Sequence, residues 1–147
     1  MNTKARIMLS IIMILGIFLL PKNVAMAASE DELKILESVN AVRSQYGLEP
    51  YVLDEDFCKS AEVRAGEQTH SFSHVRPNGQ EWFTVNQNVN SENIAHLNAE
   101  YQKSLVVEAW MQSRVHRMNV LSQTSKNAGI GIIETENGEY YIVMLTD

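Results

Sequence analysis

An α+β fold is what the sequence predicts, and three observations predict it. Two capped stretches with a helical apolar period follow one another between residues 29 and 70, a third helical stretch begins near residue 104, and the C-terminus sets two β-forming segments about an Asn-Gly turn. The 147 residues, 45% hydrophobic and 20% charged, suit one globular domain and leave no room for two. A single Cys excludes a disulfide framework within the chain.

Ser29 followed by Glu30, Asp31 and Glu32 is a capping-box signature: the Ser29 oxygen caps the first amides and Glu32 reaches back. Ile35, Val39, Val42 and Tyr46 then mark one apolar face, expected in the core, of a helix that stops at Gly47. After a short connection containing Pro50, Asp54 is the next N-cap, with Glu55 and Asp56 on the positive end of a second helix. Its inner face is Phe57, Ala61, Ala65 and Gln68, and Cys58 beside it reads as a small buried thiol. The period fails after His70, so residues 71–79 form an exposed loop closed by Pro77-Asn78-Gly79. Residues 84–91, polar and Asn-rich, read as a surface loop. From Ser104 to Gln112 the helical pattern returns, with Leu105, Ala109 and Gln112 on one side and Val106 and Trp110 on the neighbouring one. Ala128 to Glu134 and Tyr140 to Leu145 are paired as a hairpin by Glu136-Asn137-Gly138.

Residues 1–27 read as a secretory signal: Lys4 and Arg6 are the basic region, Ile7 to Leu20 the apolar run, and Ala25-Met26-Ala27 the cleavage site. That run is 14 residues, short of the roughly 20 that cross a bilayer, so no stable membrane anchor is expected after cleavage. The domain is then 28–147, secreted, and should be recovered from the medium or envelope; an intact mass corresponding to all 147 residues from the native host would refute cleavage. Without the leader, nine basic residues face 18 acidic ones, a net charge of −9. This disfavours nucleic acid as a partner, since phosphate binding needs clustered Lys and Arg.

Four His residues carry the titratable chemistry. His70 and His74 have the i, i+4 spacing of a helical metal pair, but Ser71-Phe72-Ser73 breaks the helix between them. His96 reads as a solvent-facing loop residue, and neither Ser73 nor Ser113 lies in a strained nucleophile elbow. His74 in SHVRPNG and His116 in SRVHRMNVL, with SENIA between them, are the informative ones. Those segments, with VNAVRSQYGL before them, VVEAWMQS between and the closing AGIGI, resemble in order and spacing the CAP superfamily of cysteine-rich secretory, antigen 5 and pathogenesis-related proteins. The single Cys resembles the bacterial secreted branch.

The resemblance implies a three-layer α-β-α sandwich with a central antiparallel sheet, and a cleft in which His74, Glu92 and His116 meet. Ser113 stands where many members carry a second cleft Glu, and Arg114-Val115 where a small Pro-Gly pair is usual. Two imidazoles and a carboxylate suit an open Zn²⁺ site, and the same groups could perform acid/base work or simply lock two loops together. Asn40 and Arg43 read as helix-surface residues that tie down neighbouring loops. The expected function is a secreted, non-catalytic binding module whose cleft takes an extracellular lipid, peptide or cell-envelope component and is a candidate site for a divalent metal. The rival readings are a metal-assisted or acid/base peptide hydrolase and a structural or host-interaction protein acting through its outer surface.

Overall fold

The computed structural model describes residues 28–147; the expected leader and cleavage site lie outside them. In chain order the elements are α1 (Glu30–Gln45), β1 (Val52–Leu53), α2 (Glu55–Gln68), β2 (Ser91–Asn98), α3 (Val106–Gln112), α4 (Arg114–Val120), β3 (Asn127–Glu134) and β4 (Glu139–Thr146). The sheet order is β1-β3-β4-β2, antiparallel throughout except for the parallel pairing of the two-residue β1 with β3. None of the described helices is long and apolar enough to cross a membrane.

The capping box at Ser29 is formed in both directions, and Asp54 caps α2 through the amides of Asp56 and Phe57. Alternation along β4 then divides the core. Ile142 and Met144 face one way, into a cluster with Ile35, Leu36 and Val39 of α1, Val106, Val107 and Trp110 of α3, and Val120 of α4. Val143 and Leu145 face the other, against Phe57, Ala61 and Ala65 of α2 and Ile94 of β2. Helices on both faces of one sheet make the expected α-β-α sandwich. The α2 layer is pressed directly onto β3, because a Cβ at Gly129 would overlap the backbone of Phe57 and Cys58, and one at Gly131 that of Ala61 and Glu62. Only glycine permits that approach.

Several expectations are corrected. Tyr46 is 57% exposed, because α1 ends one residue before it and the chain turns at Gly47, whose φ is +70°. Arg43 is no surface residue: it is buried on the inner side of α1, donating to the carbonyls of Glu49, Val120 and Ser122. Asn40 does tie down a loop, pairing both backbone groups of Tyr51. In α3 the buried face is Val106, Val107 and Trp110, while Leu105 and Ala109 face solvent. Residues 84–91 are less loose than their composition suggests: Trp82–Val85 is a 3-10 turn and Val89 is buried. Cys58 is free but only partly buried, and that burial pushes its thiol pKa up.

Candidate ligand cleft

His74 lies on the loop after α2, Glu92 on β2 and His116 on α4, and the fold gathers them at one edge of the sheet. His74 Nδ1 is 2.8 Å from Glu92 Oε1, and the two imidazole rings stand 6.3 Å apart between centroids, tilted by 52°. His70 and His96 lie elsewhere. His96 stacks on Tyr141, against which Phe72 also packs, and pairs with Glu139.

Each cleft residue is held by groups that sequence reasoning left out. Arg64, fully buried on the inner face of α2, donates Nε to Glu92 Oε2 at 2.7 Å and Nη2 to Oε1 at 3.2 Å. Arg64 also pairs with Glu67, whose other contacts are to Arg76. Burial pulls the Arg64 pKa down, but the hydrogen bonds to Glu92 and Glu67 outweigh it and hold the guanidinium above its ordinary value. Burial likewise raises Glu67, yet Arg76 and Arg64 bring it below the usual carboxylate range. Its contribution to stability is therefore present above that range and is lost as pH falls through the depressed value.

The backbone next to His74 is clamped as though in a sheet. Gln68 receives the Ser73 amide and donates to its carbonyl, both at 2.8 Å, and Arg64 Nη2 bonds the same carbonyl. His116 is placed from the opposite side: Asn93 donates to its carbonyl, Asn119 binds the Asn93 side chain, and Trp110 Nε1 caps the Ile94 carbonyl on the open edge of β2. Arg64 was discoverable, since it stands seven residues after Phe57 on the stripe that includes Ala61, Ala65 and Gln68.

Burial lowers the His116 pKa, and the neighbouring His74 charge lowers it further. His116 thus favours the neutral ring in the fold, so the stability it contributes is present above about pH 6.5 and is lost as pH falls through its depressed value. Over His74 and Glu92 opens a hollow of about 390 Å³, lined also by Glu81, Trp82, Asn90, Ser91, Val115 and Asn119, with His116 not among the residues that line it. Glu81 and Trp82 reach it from the 3-10 segment that follows the His74 loop. Glu108 points elsewhere, into the groove between α1 and α3, so it does not replace the second cleft Glu. Both oxygens of Glu92 are already engaged, and among the described residues no three His, Cys, Asp or Glu side chains gather as a metal-holding group.

A model of the cysteine-rich secretory protein family, CAP, matches residues 36–146. Over 117 residues the chain is 31% identical to the uncharacterized protein YkwD of Bacillus subtilis, covering 74% of this chain and 45% of that one, so it spans less than half the length of that relative. An extracellular protein containing an SCP domain from Bacillus anthracis superposes with a TM-score of 0.63 at 17% identity, over 80% of this chain and 40% of that one. NaASP2, solved with Zn²⁺, superposes with a TM-score of 0.60 at 18% identity, over 86% and 82% of the two chains. With the family's motifs in order and its sandwich formed around them, the chain belongs to the cysteine-rich secretory protein (CAP) family.

Proposed function

We propose that this is a secreted binding module whose cleft captures an extracellular ligand through His74 and His116, with Glu92 acting behind them as an orienting group. The observation that carries this reading is the Arg64–Glu92–His74 chain. A carboxylate that accepts from Arg64 on both oxygens is poorly placed to take a proton from an attacking water itself, so Glu92 acts through His74 rather than as a direct base. The same carboxylate accepts from His74 Nδ1, which assigns the proton of the neutral ring to that nitrogen and leaves Nε2 as the acceptor or ligand.

Zn²⁺ is the metal this donor set fits best, because two neutral imidazoles are borderline-soft ligands and solvent can complete the shell. His74 and His116 would hold the ion, and Glu92 would fix the His74 ring from behind. A bound ion would supply an electrophilic centre able to take a carboxylate, phosphate or hydroxyl of a lipid, peptide or cell-envelope component. The structure of NaASP2 with Zn²⁺ supports the chemistry for a relative of the same fold.

A calorimetric Zn²⁺ titration tests the reading. Binding should strengthen above about pH 6.5, where imidazole is neutral, and be modest in affinity with two protein ligands. His74→Ala and His116→Ala should each remove most of it, while His70→Ala and His96→Ala leave it nearly unchanged. Equal loss from all four substitutions would refute a shared site.

A further inference from the structure

The nine Lys and Arg side chains of the described residues are unevenly used. Lys34, Lys59, Arg64, Arg76 and Lys103 each pair with a carboxylate, and Arg43 is buried on three carbonyls. That leaves Arg114, Arg117 and Lys126 without an acidic partner among the described residues, and two of the three stand one turn apart on α4. The same short helix exposes Val115 at 65% and Met118 at 64%, the highest values of any large apolar side chains in the described domain. Isolated exposed apolar residues are ordinary. Their coincidence with the free cations of an otherwise acidic domain is not.

Helical geometry makes these four residues one surface. Val120 is buried and His116 and Asn119 are half-buried, so at about 100° per residue Arg117, Arg114, Met118 and Val115 lie in that order across the outer half of α4. The platform is well anchored: the carbonyls of His116, Asn119 and Val120 accept from Asn93, Tyr51 and Arg43 respectively. Arg117 donates Nε to the Met111 carbonyl at 2.9 Å, which steadies its stem and leaves the terminal amino groups to bind outward. Val115 also walls the hollow that holds His74 and Glu92, so anything lying on this face passes the cleft mouth.

We infer that the outer face of α4, made of Arg114, Val115, Arg117 and Met118, docks an acidic peptide segment that carries apolar side chains beside its carboxylates. Guanidinium groups match carboxylates in a two-point fork, and the apolar neighbours exclude water from that pairing. An anionic bilayer is the weaker fit. Two Arg alone attract such a surface only weakly, and a domain of net charge −9 is repelled by a continuous negative plane. A short segment brings its charge only to α4, within a screening length of about 8 Å. The inference does not depend on metal binding in the cleft.

The test uses fluorescence anisotropy of the purified protein with a labelled peptide of four Glu-Leu repeats, beside Glu-Ser and Lys-Leu peptides of equal length and vesicles of phosphatidylglycerol. The Glu-Leu peptide should bind saturably, and Arg114→Glu and Arg117→Glu should each weaken it about tenfold. Met118→Ser should weaken it severalfold, and Lys126→Glu, the same change of charge away from α4, should stay within about twofold of the parent. Circular dichroism checks each fold; should Arg117→Glu unfold through loss of the Met111 contact, Arg114→Glu and Met118→Ser carry the result. The inference is overturned by absent binding, by equal binding of Glu-Ser or Lys-Leu peptides, by equal loss from Lys126→Glu, or by vesicle binding that outcompetes the peptide at α4.

Discussion

Replacing Glu92 with Ala should destabilise the fold by about 3 kcal/mol, the lower end of what breaking a buried ion pair costs. Arg64 and Glu92 have side-chain exposures of 0% and 1%, so neither can turn to water when its partner is removed. The lower end applies because Arg64 keeps Glu67 and the Ser73 carbonyl. Arg64→Met should cost at least as much, since it leaves the Glu92 carboxylate buried with His74 alone and removes a clamp from the His74 loop. The double variant Arg64→Met/Glu92→Ala should be less unstable than the two single losses added together, because no buried charge is left uncompensated. Urea denaturation of the parent, both single variants and the double variant measures that coupling; strict additivity would show that the pair does not act as a unit.

The second large effect is steric. Gly131→Ala should cost about 3 kcal/mol or more, since the new methyl meets the Ala61 and Glu62 backbone, where overpacking cannot be relieved by rotating a side chain. Gly66 supplies the internal control. It lies in α2 with open space around its Cβ position, so Gly66→Ala should stabilise by about 0.5–1 kcal/mol through helix propensity. Thermal melts of the two variants should therefore move in opposite directions, and a tolerated Gly131→Ala would mean that α2 sits farther from β3 than described.

The parts of this fold that are legible in the sequence are those where local chemistry and burial agree. Both long helices announce their first residues through Ser29 and Asp54, and the closing hairpin through Asn137-Gly138, which takes φ +75° at Gly138. β2 is hidden because its buried positions include Glu92 and Asn93, whose polarity is satisfied by Arg64, Asn119 and the His116 carbonyl; a strand with a polar interior shows no apolar alternation. α4 is hidden too, since its outer face is as apolar as its inner one. The Arg43 and Arg64 positions fall on apolar stripes, and sequence reading passes over them because charge there looks like an interruption rather than an anchor. The candidate site residues His74, Glu92 and His116 come from the order of motifs, whereas the contacts of Glu92 with Arg64 and His74 are visible only in three dimensions.

On the proposed reading, His74 and His116 are the working groups of one cleft while Glu92 holds His74 from behind. Long-range proton–nitrogen correlation of ¹⁵N-labelled protein during a Zn²⁺ titration examines it at each imidazole nitrogen. One nitrogen each of His74 and His116 should shift with a common midpoint, His74 Nδ1 should keep its proton throughout, and His70 and His96 should not move with them. Ligation through His74 Nδ1, which would require Glu92 to release it, or separate midpoints for His74 and His116, would contradict the claim.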